Sequence, residues 1–529
     1  MAEKFGDAQA LVVRSARGRA EWSYLELHRA AREVARALAA AGVGKASRVG
    51  ILMANRAEYI TSLFGIAMAG GVAVALNTFS TPAELQHQVQ ISGIGWLLFD
   101  GRLLKQDFAR TLAEIDLGPD LTGLVELDSV TDTEPASGRF SAWADFLAAG
   151  AAVDPETIDA RARMVDASDA AGVFFSSGTT AQPKAIVHCH RAFTVQWWRW
   201  PRVFAMREPV RSWTGNGFFW SGNVSMTIGT ALSTGGAMIL QPAFDADQAL
   251  AAIEEERVTF LGGRPHQWAR VQSAPRWADA DLSSLKYVTK GDLVTDHPSV
   301  QTDWHTPNAF GTSETMTICT AFDAETSAEE YGGSVGGPLP GNALKIVDPV
   351  NRAVLPVGQR GEMCIKGPTL MSGYLGKTPE QCFDDEGYYC TGDGGYVDAQ
   401  GRFFWEGRLT AIIKSGGANV SPDEVDAEIA RFPGVKRCQT VGVPDDLLGE
   451  VVVACIVPLP GATISTMALL AKLKERLASF KLPRHLLVLS DEEFALTANE
   501  KPVIAEIRRV AAAKLVAVND AGVGVSSDA

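Results

Sequence analysis

The sequence predicts an α/β protein with a large N-terminal domain of layered α/β subdomains, an added β-rich subdomain and a small α+β domain at the C-terminus. Three observations predict it. Between residues 24 and 99, stretches of helical period alternate with short apolar runs, the pattern of a mostly parallel sheet covered by helices. From about residue 340 the texture changes to short β-like pieces split by glycine and proline. From Ser421 helices and strands mix again, over a length that suits a separate small domain.

The elements follow in order. Ser23 and Glu26 have capping-box spacing, and Leu27, Ala31, Val34 and Leu38 then recur on one face. Residues 24–41 therefore read as a helix, ended by Gly42 and Gly44. Strands are expected at 49–53, 72–76 and 96–99, with helices at 57–68 and 83–91 between them. Residues 101–168 show no regular pattern. A helix at 247–256 feeds a strand at 259–262, and 285–289 reads as a further strand. The β-rich part holds 344–347, 361–366 and 401–405. The C-terminal part reads as helix 422–431, strands 437–443 and 450–457, helix 466–478, strand 485–489 and helix 502–514. The tail from Val518 is small and polar, the composition of a disordered end. The two textures part at Gly407 and Arg408, which sets the domains at 1–407 and 408–529.

Composition excludes several classes of function. A chain of 529 residues exceeds one ordinary core. Hydrophobic residues at 46% and charged residues at 21% describe a packed globular protein. The formal charge of −14 argues against non-specific nucleic-acid binding, which needs a basic face. The seven cysteines are scattered without a CxxC pair, and most of them read as buried thiols in a reducing cytosol. The N-terminus carries no apolar signal segment, so a cytoplasmic protein is expected. Ser212 to Phe244 contains no charge and is long enough to span a bilayer. Its Asn216, Asn223, Gln241, Pro242 and many glycines make it buried core and pocket wall instead, with no integral membrane segment expected.

Residues 173–191 hold the strongest local signal. An apolar run, Val173 to Phe175, gives way to Ser176, Ser177, Thr179 and Thr180 around Gly178; Pro183 and Lys184 follow, then apolar Ile186 and Val187. Strand, small polar loop, cation and strand let backbone N–H groups and hydroxyls wrap an anion. Composition alone leaves a surface turn equally open. His188 and His190 read as structural residues, not a metal pair. Trp197, Trp198, Trp200, Trp213 and Trp220 read first as core packing and second as a wall for a bulky apolar acid.

Five further pieces lie downstream. Asn308 to Glu314 packs an aromatic, a glycine, two hydroxyls and a carboxylate into one turn. Gly361 to Pro368 runs on to Met371–Tyr374; Tyr388 to Asp393 places an acid after glycine, suited to vicinal hydroxyls. Gly407 to Pro422 is Gly-rich and basic, and Leu496 to Lys501 sets a lysine in a polar loop. In order and spacing the six pieces resemble the adenylate-forming superfamily, acyl-CoA synthetases, luciferases and adenylation domains, from about residue 10 to 510.

That resemblance implies two half-reactions: a carboxylate attacks the α-phosphorus of ATP to give an acyl-adenylate and pyrophosphate, and a thiol, usually of CoA, then displaces AMP. It implies Lys501 as the catalytic lysine, Glu314 as the Mg2+-holding carboxylate, and Thr179 with Ser176, Ser177, Gly178, Thr180 and Lys184 as the phosphate cradle. Phe310, in the turn with Asn308, Gly311, Thr312 and Ser313, matches the aromatic that stacks on adenine. Asp393, helped by Arg408, would grip the ribose. The C-terminal domain would rotate about Thr410, bringing first Lys501 and then Gly416, Gly417 and Asn419, the CoA path, to the site. Trp220, where the family often has histidine, and Gly291 belong to the acyl-pocket segments.

The chain departs from the pattern at Ala181 and Ala185, where glycines are usual, at Glu500, where glycine usually precedes the catalytic lysine, at Pro502, and at Thr410, usually an acid or lysine. The expected activity is an acyl-CoA synthetase for a hydrophobic medium- to long-chain or cyclic acid. The alternative is a stand-alone adenylation enzyme loading an aryl or amino acid onto a carrier protein. Residues 217–227 lack the acid that would pair an α-amine, which lowers the amino-acid reading. An adenylate-binding regulator or a luciferase-like oxygenase would keep the same loops. Retention of Glu314, Asp393, Arg408 and Lys501 speaks against a dead binding module. A homodimer is compatible with all of these.

Overall fold

Ser23 starts the first long helix, Tyr24–Ala40, as its spacing predicts. The Glu26 N–H donates to Ser23 Oγ at 3.2 Å, and the Ser23 N–H donates to Glu26 Oε2 at 2.7 Å. Leu27, Val34 and Leu38 bury one face, each worth about 2 kcal/mol. Thr81 and Glu84 repeat the device at the helix Pro82–Ser92. The computed structural model describes residues 1–131, 137–176, 183–263, 265–289, 293–409, 413–415, 418–445, 448–477, 481–497 and 500–520. They cluster into two compact units. The first takes in the described residues up to 343 together with 366–389; the second takes in 344–365 and the described residues from 390 onward.

In the first unit an eight-stranded sheet runs in the order Gly373–Tyr374, Lys184–Cys189, Ala170–Ser176, Val72–Ala75, Arg48–Leu52, Trp96–Asp100, Gly123–Leu127, Ser141–Ala142. The strands after the first two are parallel, as the helix–strand alternation predicts. A five-stranded sheet holds Phe260–Gly262, Arg211–Thr214, Ala237–Leu240, Gln9–Ser15 and Gly18–Ser23. Leu11, Val34, Ile60, Phe174 and Phe218 share one core cluster, so the two sheets are sealed by common apolar contacts. The uncharged stretch 212–244 supplies strands and helical turns of this core. Among the described residues no helix is long and apolar enough to cross a membrane. The irregular stretch at 101–168 folds as the helices Phe108–Glu114, Trp143–Ala149 and Pro155–Arg163 around the strand Gly123–Leu127.

One expected strand is corrected. At 285–289, among the described residues, only Tyr287 makes a bridge, to Phe260. The N–H groups of Lys286 and Tyr287 both donate to the Thr259 carbonyl, which uses two donors on one acceptor and leaves no ladder to continue.

The second unit opens with a four-stranded sheet of Ala343–Val347, Gly361–Lys366, Tyr389–Val397 and Phe403–Arg408. Neighbouring strands bring Cys364 and Cys390 to a Cα separation of 4.0 Å, and they form a disulfide. These two are the exceptions to a chain expected to hold mostly thiols, because 26 residues of sequence separation hide a cross-strand neighbour. Cys189, Cys319, Cys382, Cys438 and Cys455 stand outside any disulfide. Beyond them Val435–Asp445 and Gly449–Pro458 form an antiparallel pair, joined in parallel by His485–Val488. Val425 and Ile429 of the helix Pro422–Ala430, with Leu469 of Thr466–Lys474, pack on Val452 and Ile456 of this sheet. The last helix, Ile504–Asp520, runs past the expected end at 514. The tail from Val518 is thus helical to Asp520, and its remainder lies outside the described residues.

Candidate active site

The strand Ala170–Ser176 and the strand Lys184–Cys189 pair antiparallel, with Ser176 opposite Lys184. The two ends of the polar loop are thereby fixed. Ser177, Gly178, Thr179, Thr180 and Ala181 lie outside the described residues. Ala185 sits in extended strand opposite Phe175, buried, and its carbonyl accepts the Leu375 N–H at 2.9 Å. Nothing in that backbone calls for glycine.

Downstream, the strand Ala309–Thr312 carries Phe310, Gly311 and Thr312 into the turn Ser313–Thr315. A Cβ on Gly311 would fall 1.9 Å from the Thr317 carbonyl oxygen, so the turn can close only on glycine. Met316 and Thr317 follow with φ of 51° and 83°. Such conformations cost about 1–3 kcal/mol each outside glycine and persist where the surroundings enforce them. Gln196 enforces them: fully buried, it donates to the Met316 carbonyl at 3.0 Å and the Ile318 carbonyl at 2.7 Å.

Glu314 is buried at the apex of this turn. The Tyr374 hydroxyl donates to Glu314 Oε1 at 2.8 Å, and the Met371 N–H donates to the Glu314 carbonyl at 2.7 Å. His188 holds the preceding residue, with Nε2 at 2.8 Å from the Ser313 carbonyl, to which it donates. Burial pushes the His188 pKa down to about 4, so the ring is neutral at physiological pH, and its role is structural. The Thr312 hydroxyl is buried with no hydrogen-bond partner among the described residues. Asn308 donates through Nδ2 to the Ser334 carbonyl at 2.5 Å, so its amide braces a neighbouring loop. Trp220 is half-buried, its ring 5.4 Å from Phe219, which in turn lies 5.7 Å edge-on to Phe79. Gly291 lies outside the described residues. Trp200 and Trp213 are fully buried and serve the core, whereas Trp198 is exposed.

The second unit carries its own group. Asp393 and Arg408 oppose each other across the strands Tyr389–Val397 and Phe403–Arg408. Arg408 Nε lies 3.3 Å from Asp393 Oδ1, and its Nη1 donates to the Thr391 carbonyl at 2.7 Å. Trp405 adds a third hold, its indole N–H donating to Asp393 Oδ1 at 3.0 Å. Gly407 has φ 106°, and a Cβ there would meet Asp423 Oδ2 and Ser421 Oγ at 3.1 Å. Lys501 is exposed on a tight turn. The Thr497 N–H donates to the Lys501 carbonyl at 2.8 Å, the Lys501 N–H donates to Thr497 Oγ1 at 3.2 Å, and Leu496 bridges Pro502. Glu500 takes φ 57°. That left-handed conformation is what glycine ordinarily supplies. Thr410, Gly416 and Gly417 lie outside the described residues; Asn419 lies on the strand Ala418–Val420, paired with Lys414.

Comparison with known proteins fits this arrangement. The sequence model of the AMP-binding enzyme family matches residues 1–375, and that of the AMP-binding enzyme C-terminal domain matches 424–501. The chain belongs to the AMP-binding enzymes. The enzyme is 32% identical to a feruloyl-CoA synthase of Amycolatopsis sp. over 497 residues, 92% of this chain and 93% of that one. It is 30% identical to an indoleacetate–CoA ligase of Aromatoleum aromaticum over 503 residues, 93% and 94% of the two chains. Among solved structures, ATP-bound MatB from Rhodopseudomonas palustris superposes with a TM-score of 0.76 at 24% identity, covering 96% of each chain; this shows the shared fold. The enzyme is an ATP-dependent acyl-CoA synthetase, an acid–thiol ligase.

Three residues that hold candidate site residues in place, each within its own unit, escaped the sequence reading. Tyr374 closes one of the six pieces but carried no role there. Gln196 and Trp405 gave no signal, because their partners lie 120 and 12 residues away and meet them only in the folded chain.

Proposed function

We propose that the enzyme activates a hydrophobic, ring-bearing carboxylic acid as its adenylate and transfers the acyl group to CoA. The observation that carries the reading is the Glu314 turn, a buried carboxylate with one oxygen taken by Tyr374, beside a buried Thr312 hydroxyl without a partner among the described residues. Buried polar groups are normally satisfied, so this turn supports a ligand with oxygens to offer. The second Glu314 oxygen has no donor among the described residues, and a hard carboxylate oxygen shared with phosphates suits Mg2+. Bound there, Mg2+ would draw charge from the phosphates.

The chain's own residues supply the rest. Phe310 offers a face to adenine, and Asp393, oriented by Arg408 and Trp405, accepts from the ribose hydroxyls. The loop from Ser176 to Lys184 cradles the phosphates. Lys501 steadies the approaching carboxylate and α-phosphate, whose like charges oppose the first step. The acid oxygen forms a bond to the α-phosphorus as the bond to pyrophosphate breaks. The thiolate of CoA then attacks the acyl carbon, and AMP leaves with the bonding oxygen. We assign the rotation between the steps to residues 408–529 about Thr410, and the thiol path to Gly416, Gly417 and Asn419. Phe79, Phe219 and Trp220, in the uncharged stretch and its neighbour, support an aromatic wall for the acid. Two relatives whose names carry ring-bearing acids support the same choice. A cytoplasmic homodimer completes the reading, to be checked by fractionation and light scattering.

The test is pyrophosphate release over a panel of aryl, indolyl and straight-chain acids, with and without CoA. Ring-bearing acids should lead by at least about tenfold, as one or two added apolar contacts allow. A straight-chain acid in the lead overturns the substrate class. An acyl-adenylate that CoA leaves unconsumed, while a carrier protein consumes it, overturns the acceptor.

A further inference from the structure

Tyr374 touches both charged groups that the first half-reaction uses in the first unit. Its hydroxyl donates to Glu314 Oε1 at 2.8 Å. Its ring lies under the ammonium of Lys184, 5.4 Å from the centroid, and the ammonium of Lys377 sits 5.5 Å from the same ring. Its backbone belongs to the short strand Gly373–Tyr374, which pairs with the strand leaving the phosphate loop, Tyr374 opposite Ile186. The residues on either side tighten the splice: the Ser372 N–H donates to the Val187 carbonyl at 2.7 Å and the Leu375 N–H to the Ala185 carbonyl at 2.9 Å. Three residues earlier, Met371 holds the Glu314 backbone.

The hydrogen-bond direction is determined. A phenol has one proton, and an ionised carboxylate only accepts. Tyr374 gives its proton to Glu314, so in the contact with the Tyr389 hydroxyl at 3.0 Å it is Tyr389 that donates. A chain of two phenols thus ends on one carboxylate oxygen, and among the described residues the other oxygen has no donor.

We propose that Tyr374 is a positioning residue that fixes the Glu314 carboxylate and the Lys184 ammonium in one geometry, so that a phosphate-bound divalent cation meets a single prepared oxygen. The proposal rests on the reading of Glu314 as the metal-holding carboxylate. Partners that orient a metal ligand typically carry 10- to 100-fold in metal affinity.

The experiment is Mn2+ binding, followed by its EPR signal, to the full-length enzyme saturated with the non-cleavable analogue α,β-methylene-ATP. Tyr374→Phe keeps the ring under Lys184 and removes only the hydroxyl. It should weaken Mn2+ binding by about 10- to 100-fold, while affinity for the analogue without metal stays unchanged. Tyr374→Leu should lose Mn2+ affinity and analogue affinity together. Tyr389→Phe removes only the donor behind Tyr374 and should weaken Mn2+ binding by a few-fold; it carries the test if the Tyr374 variants fail to fold. Unchanged Mn2+ affinity in Tyr374→Phe, or in Tyr389→Phe where that is the folded variant, overturns the proposal provided that Glu314→Gln abolishes binding. If Glu314→Gln leaves Mn2+ binding intact as well, the metal assignment of Glu314 is what fails.

Discussion

The Glu314 turn and the Lys501 turn each present one side chain that we assign, as a proposal, to the same half-reaction, and they are built in opposite ways. Glu314 is buried and held from several sides: by Tyr374 on its carboxylate, by Met371 on its backbone, and by His188 and Gln196 on the residues before and after it. Its strained neighbours, Met316 and Thr317, are locked by those contacts. Lys501 is exposed on a turn closed by hydrogen bonds between Thr497 and both Glu500 and Lys501 and by the Leu496–Pro502 bridge, and its strained neighbour, Glu500, precedes it directly. A group that must hold a cation and phosphates still gains from a prepared geometry. A group assigned to a rotating domain gains from exposure. The difference between the turns matches the tasks we propose for them.

The largest effect that can break this comparison is Lys501→Ala. Acyl-adenylate formation should fall by about a thousandfold or more, while conversion of supplied acyl-adenylate to the CoA thioester survives. Rapid-quench measurement of both half-reactions decides it. Equal loss of both would place Lys501 in a static site like that of Glu314.

Protonation separates the two units with a smaller effect. His188, in the first, is neutral and buried with its pKa lowered to about 4, against about 6.5 unfolded. The stability it leaves intact above pH 6.5 is lost as pH falls towards 4, by about 3 kcal/mol. Asp426, in the second, is raised by desolvation to about 6, although Thr440 donates to it at 2.6 Å. Its contribution has the opposite sign: fully present below about pH 4, and lost as pH rises to 6, again by about 3 kcal/mol. Hydrogen exchange of the full chain between pH 4 and 7 should show these slopes region by region. Asp426→Asn should flatten the slope in 422–458 and leave the region around 188 and 313 unchanged. A common slope in both regions would mean that the units unfold together.

The smallest expected change sharpens the comparison at the strained residue. Glu500→Gly suits the left-handed backbone and should raise stability by about 1 kcal/mol, after the entropy of glycine is counted. Thermal unfolding reads it. The equivalent Thr317→Gly should yield less, because Gln196 and Thr315 already hold that backbone, Thr315 Oγ1 donating to the Thr317 carbonyl at 2.6 Å.

Local chemistry was legible in the sequence. Helix entry at Ser23, the helix–strand alternation up to residue 99, and the order of six polar pieces follow from spacing and composition, which act over a few residues. Those pieces identified Glu314, Asp393, Arg408 and Lys501 as candidates. What spacing could not reach was every relation made between distant segments. The strand expected at 285–289 failed because, among the described residues, it finds no more than a single bridge. The Cys364–Cys390 disulfide and the hold of Trp405 on Asp393 depend on strand pairing that sets residues side by side, and the hold of Tyr374 on Glu314 joins a short strand to a turn 60 residues earlier. Sequence by itself determined which residue types can do the chemistry, because charge and hydrogen-bonding capacity belong to the side chain. Only the tertiary structure decided which of them are held still and which are exposed on a turn, because burial and partner geometry are properties of neighbours that the chain brings together.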